Sequence, residues 1–148
     1  MVLGNCFPEN IRNNYINQHP QISNVYKYHN EIADKIKLIL IVAEYKSHLF
    51  AYCFINTDIN PTKYPVDSLY IQFHKKIFVV NNSYLDHDSY VNCNEIYEVE
   101  KSRVNKALQD DIGAHLGCMN KSDFKDIIQK IIDNPSILRK IKKKYNFC

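Results

Sequence analysis

The chain has 148 residues, enough for one domain with a sizeable core, and 45% of them are apolar. Three glycines and five prolines exclude a low-complexity or largely disordered chain, and no apolar run approaches the ~18 residues needed to cross a bilayer. The net charge of +3 conceals a split: residues 1–100 carry 8 Lys/Arg against 11 Asp/Glu, whereas residues 101–148 carry 11 against 5.

Residues 1–22, rich in Asn and holding Pro8 and Pro20, read as an N-terminal arm. Val25, Tyr28, Ile32 and Ile36 then recur at helical spacing, with Ser23 or Asn24 placed to cap the first turn, which predicts a short helix over 24–35. Residues 38–45, within the run Lys37-Leu38-Ile39-Leu40-Ile41-Val42-Ala43-Glu44-Tyr45, are continuously apolar and β-rich and predict a strand. Lys46-Ser47 is too short for a crossover, so 48–55 is its hairpin partner. After the turn residues Asn56 to Pro61, Ser68 to His74 alternates, with Leu69, Ile71 and Phe73 on one face, and predicts a third strand.

Ile77 to Val80 is apolar again, Ser89 to Val99 holds one or two short strands, and Gly113 to Gly117 suits a last edge strand. From Ser122, placed as a cap, Phe124, Ile127, Ile128, Ile131 and Ile132 fall on one helical stripe that Pro135 ends. Ser136 caps again, and Ile137, Leu138 and Ile141 anchor a short basic helix. Without repeats or a linker, 1–148 reads as a single α+β domain. A small, strongly twisted antiparallel barrel over 38–117 sits between the short N-terminal helix and amphipathic C-terminal helices over 121–146.

Five scattered cysteines with no CxxC pair argue against a disulfide framework or a zinc knuckle and fit a reducing, cytoplasmic compartment. The N-terminus lacks the basic and long apolar regions of a secretion signal. His87, Asp88 and Cys93 match no metal-ligand spacing, so neither a metal nor another cofactor is expected. The stretch Arg139-Lys140-Ile141-Lys142-Lys143-Lys144 is either a solvated helix face or a contact for a polyanion, nucleic acid first.

The order Ser89-Tyr90-Val91-Asn92-Cys93-Asn94-Glu95-Ile96-Tyr97-Glu98-Val99, Ser102-Arg103-Val104, Ile112-Gly113-Ala114-His115-Leu116, then Ser122-Asp123-Phe124 and a helix resembles the C-terminal half of MazF/PemK-type toxins. The strands at 38–45, 48–55 and 68–74 lay onto that family's SH3-like barrel in order. The resemblance implies a metal-independent endoribonuclease acting on single-stranded RNA, with an antitoxin as protein partner, and a homodimer. The family's arginine, at the start of the second strand, falls on Lys46-Ser47-His48-Leu49, and its threonine or serine, at the end of the third, on Phe73-His74-Lys75-Lys76. His48 and His74 are either surface histidines at strand ends or the acid–base pair that replaces those residues, with Lys46, Lys75 or Lys76 for phosphate. Thr57 is either a turn residue or an orienting hydroxyl. Tyr70, Tyr84, Tyr90 and Tyr97 are core residues or base-stacking rings. The alternative function is a non-catalytic nucleic-acid- or protein-binding module on the same barrel, using the loops and Arg139, Lys140, Lys142, Lys143 and Lys144.

Overall fold

A computed structural model describes residues 22–30 and 34–147. Among the described residues, seven antiparallel strands and three α-helices form an α+β domain around a strongly curled half-barrel sheet. The strands are β1 (Asn24–Asn30), β2 (Lys35–Tyr45), β3 (Leu49–Asn56), β4 (His74–Ile77), β5 (Ser89–Asn92), β6 (Tyr97–Glu100) and β7 (His115–Cys118). Their order across the sheet is β4-β5-β3-β2-β1-β7, with β6 paired beside the first half of β3. The helices are α1 (Lys101–Asp110), α2 (Lys121–Asp133) and α3 (Arg139–Lys144).

The β2–β3 hairpin is as the sequence predicts, with Leu38 opposite Ile55 and Tyr45 opposite Leu49. Its turn holds Lys46 at φ 48° and Ser47 at φ 62°, the left-handed values that match a tight turn to the twist of its strands. Burial explains the apolar run: Ile39 and Ile41 face one core, Leu40 and Val42 the other, and the strand is covered on both sides.

The helix predicted over 24–35 is instead strand β1 across 24–30, antiparallel to β2; residues 31–33 lie outside the described residues, as does the arm up to residue 21. Val25 and Tyr26 are both buried, on opposite sheet faces, a two-sided burial that outweighs the helical spacing. The third predicted strand is also corrected. Leu69–Phe73 is a 3-10 helix whose entry Ser68 Oγ accepts a hydrogen bond from the Tyr70 amide (3.3 Å), and pairing begins only at His74. Of its alternating residues only Phe73 is buried.

β5 and β6 are the two strands anticipated within 89–99, and β7 is the edge strand anticipated near 113–117, lying against β1. Helix α1 is unanticipated. At α2 the cap is Asn120, accepting from the Asp123 amide at 3.1 Å, and not Ser122; α3 is entered from Leu138, and not Ser136. Pro135 does follow the end of α2.

Two cores result. Ile127, Ile131, Ile137, Tyr145 and Phe147 close one sheet face over Val25, Leu40, Cys53 and Val91. On the other face Val104 and Leu108 of α1 pack on Ile39, Ile41, Phe50 and Tyr52, leaving the far half of that face half-exposed. Among the described residues no helix is long and apolar enough to cross a membrane.

Candidate functional site

The uncovered half of the second face is set by the sheet register. Lys76 pairs with Tyr90, Tyr90 with Asn56, and Lys37 with Tyr28; Lys37 Nζ donates to Asn56 Oδ1 at 3.3 Å. These five therefore form one row across β4, β5, β3, β2 and β1, because directly opposed residues share a face. In the neighbouring row His74 pairs with Asn92, and continuing the β3–β5 register sets Asn92 beside Phe54. Tyr97 of β6 pairs with Tyr52 and stacks on it (centroids 5.6 Å), and Phe54 lies 4.8 Å from the Tyr97 ring.

The loop from Thr57 to Ser68 folds back over the His74 end of this face. Tyr64 is buried there, its ring edge-on to His74 (4.6 Å) and its hydroxyl accepting from Asn92 Nδ2 at 3.3 Å. Between loop and sheet runs a cleft of about 470 Å³, and the lining residues with chemistry to offer are Lys37, Lys63, His74, Glu95 and Tyr97.

His74 is half-buried, and burial lowers its pKa below the ordinary 6.5, opposed by the Ile71 and Tyr70 carbonyls and assisted by nearby Lys130. Its Nδ1 lies 3.1 Å from the Ile71 carbonyl oxygen, which only accepts, so the hydrogen of the neutral ring sits on Nδ1 and the lone pair on Nε2. At neutral pH the cleft therefore holds an uncharged imidazole. Burial works against the charge of Glu95, yet the Lys63 ammonium and the Tyr97 hydroxyl (2.6 Å), both bonded to it, hold its carboxyl below the usual range. Burial and that carboxylate together raise the Tyr97 phenol, so it stays protonated.

His48 lies elsewhere. It follows the β2–β3 turn, its Nδ1 3.2 Å from the Lys46 carbonyl and its ring edge-on to Tyr45, in a second groove of about 620 Å³ against the start of α1. Phe54 is six residue steps further along the chain, a span of roughly 20 Å at about 3.3 Å per residue. The two histidines therefore do not meet on one concave face. The physical reason is that the third strand begins at His74 and is joined to β3 through β5 near Asn56, at the far end of β3 from His48.

Other anticipated residues divide similarly. Thr57 lines the His74 cleft and is exposed. Lys76 stands on the open face, its ammonium over the Phe78 and Tyr90 rings (5.4 and 5.9 Å). Lys75 points to the opposite face and is held by Asp126 (2.9 Å) and Asp123 (3.8 Å) of α2. Lys46 sits over the Tyr45 ring at the His48 end.

In α3, Lys142 donates to the Ile132 and Asn134 carbonyls (2.8 and 2.7 Å), closing the end of α2, and Lys144 bonds Glu98 at 2.6 Å. Arg139, Lys140 and Lys143 are exposed. Lys37, Phe54, Lys63, Tyr64 and Glu95 are cleft residues that sequence reasoning passes over. The available signal is the polar Asn56 and Asn92, each ending an apolar strand.

Among the described residues no three His, Cys, Asp or Glu side chains gather as a metal site. His87 Nδ1 is 3.2 Å from Ser89 Oγ, Asp88 accepts from the Val79 amide, and Cys93 is buried against the Val91 carbonyl. Burial raises the thiol of Cys53 and pushes that of Cys93 up to about 12, so neither is a nucleophile at neutral pH.

No protein-family model matches this chain, and no curated protein matches it in sequence.

Proposed function

We propose that this protein is a metal-independent endoribonuclease of the MazF/PemK toxin kind, with an SH3-like barrel, cutting single-stranded RNA at the His74 cleft. The observation that carries this reading is a half-buried imidazole, kept neutral at neutral pH, in a cleft that also offers two ammonium groups, Lys37 and Lys63. His74 takes the 2′-hydroxyl proton; the 2′ oxygen attacks phosphorus, the bond to the 5′ oxygen breaks, and that oxygen takes a proton from solvent water and leaves as a hydroxyl. Lys37 and Lys63 stabilise the charge that develops on the phosphoryl oxygens. A growth-arresting toxin of this kind acts in the cytoplasm and is held inactive by a small antitoxin partner.

A second reading, a binding module without chemistry, draws support from the charge of the cleft. Lys37 and Lys63 are matched there by Asp58 and Glu95, and His48, the other imidazole of the anticipated pair, is remote. Incubating the protein with a mixed RNA pool in EDTA and sequencing the new ends separates the two. Ends carrying 2′,3′-cyclic phosphate support the first reading; intact RNA that co-purifies with the protein supports the second.

A further inference from the structure

The residue rows described above make more than a wall for His74. Tyr28, Phe54, Tyr90 and Tyr97 are half-exposed rings on one sheet face, and Lys37 and Lys76 stand among them. The row Lys76–Tyr90–Asn56–Lys37–Tyr28 contains no carboxylate. Its four interstrand steps span about 19 Å at ~4.8 Å each, and His74 lies two strands, about 10 Å, from Phe54. The Lys37 ammonium rests over the Phe54 ring (4.9 Å), and the Lys76 ammonium over Tyr90.

We infer that this open sheet face is a base-stacking platform that grips the unpaired RNA strand on the side of the scissile phosphate away from the loop. The inference rests on the proposed function for the identity of its ligand. Phosphates draw the Lys37 and Lys76 ammonium groups off Phe54 and Tyr90, and bases take their place on the rings. Stacking suits this face because every base has a π-face and the rings require no pairing partner. A duplex, whose bases are enclosed, gains only the phosphate contacts. The ledge selects unpaired substrate, and the His74 cleft cuts what the ledge holds.

The test uses the intact protein and a mixed-sequence 2′-O-methyl oligonucleotide, which binds but has no 2′-hydroxyl to attack, followed by fluorescence anisotropy. Replacing one base by an abasic linker at successive positions should weaken binding about 5- to 150-fold at the stacked positions. Phe54→Leu and Tyr97→Leu should weaken binding within the same range. Lys37→Gln combined with Lys76→Gln should flatten the salt dependence by roughly 1.4 in log–log slope, two phosphates at ~0.7 each.

The abasic series leaves the protein unaltered, so a misfolded variant cannot decide the outcome. Equal affinity for abasic and normal oligomers, or for duplex and single strand, overturns the platform. Cleavage is scored separately: stacking effects without cleavage retain the platform and sink the catalytic reading, whereas cleavage without them does the reverse.

Discussion

The two faces of the curled sheet have been completed in different ways. Under α2 and α3 the interior is closed and its polar groups are bonded in a connected set. Asn134, fully buried, donates to the Cys93 carbonyl (3.0 Å) and to Asn94 Oδ1 (3.1 Å) and accepts from Ser136 (2.9 and 2.7 Å). Asn82 likewise joins Asp123, the Phe78 carbonyl, Tyr84 and the Asn120 amide. Among the described residues the single buried side-chain oxygen without a partner, Oδ1 of Asn105, belongs to α1 on the other face. On that face α1 covers half and stops, leaving rings, ammonium groups and a neutral imidazole half in solvent. A fold needs its closed face for stability; an open face of large rings is retained when something else covers it.

The contrast is sharpest in stability. Ile127 of α2 is fully buried against the sheet, and Ile127→Ala is expected to cost about 2–5 kcal/mol in urea unfolding through lost transfer energy and the residual cavity. Phe54→Leu, on the half-open face, should cost under about 1.5 kcal/mol. Equal losses would erase the distinction between the faces. Asn134→Ala should cost about 1–3 kcal/mol, because the Cys93 carbonyl and the Asn94 side chain lose a partner inside the protein.

Smaller effects follow from single contacts. Lys142→Gln removes the ammonium that closes the Ile132 and Asn134 carbonyls and should cost roughly 0.5–1.5 kcal/mol, whereas Lys143→Gln, at an exposed position, should fall within about 0.5 kcal/mol of the parent. Thermal melts of the two variants side by side check this.

The pH dependence falls into two steps. His74 has a folded pKa lowered below 6.5, so between those values the unfolded chain holds a proton that the folded protein lacks. Its contribution is complete above pH 6.5 and is lost as pH falls through the lowered value. Glu95 and Glu98, both lowered from 4.5, add a second loss at more acid pH. Melting temperature against pH should show both steps, and His74→Gln should abolish the upper one.

How far the sequence reveals this arrangement depends on how many surfaces each segment meets. Residues 38–45 and 48–55 are legible because strand propensity, an apolar run and a two-residue connection agree. Residues 24–30 are not, because Val25 and Tyr28 mimic a helical stripe, while what decides their state is pairing with β2 and β7, distant in sequence. Leu69 to Phe73 alternates like a strand, yet the Ser68 side chain favours a 3-10 turn and Leu69 and Tyr70 find no cover. At the site, His74, Thr57 and Lys76 can be picked out as polar groups beside strand ends. Their association with Lys37, Lys63 and Glu95 depends on register and on how a loop folds back, neither of which spacing encodes. The pairing of His48 with His74 fails for the same reason: it requires a third strand at 68–74 that begins six residues too early.

The central claim, that chemistry belongs to the open face and not to the hairpin end, is tested most directly by single-turnover cleavage of a single-stranded RNA by His74→Gln and His48→Gln. The account predicts a loss of about 10²–10⁴-fold for His74→Gln. It predicts a rate within twofold of the parent for His48→Gln, and a parent rate that rises with pH through the lowered His74 pKa and is flat above pH 6.5. Full activity of His74→Gln, or a loss confined to His48→Gln, would contradict it.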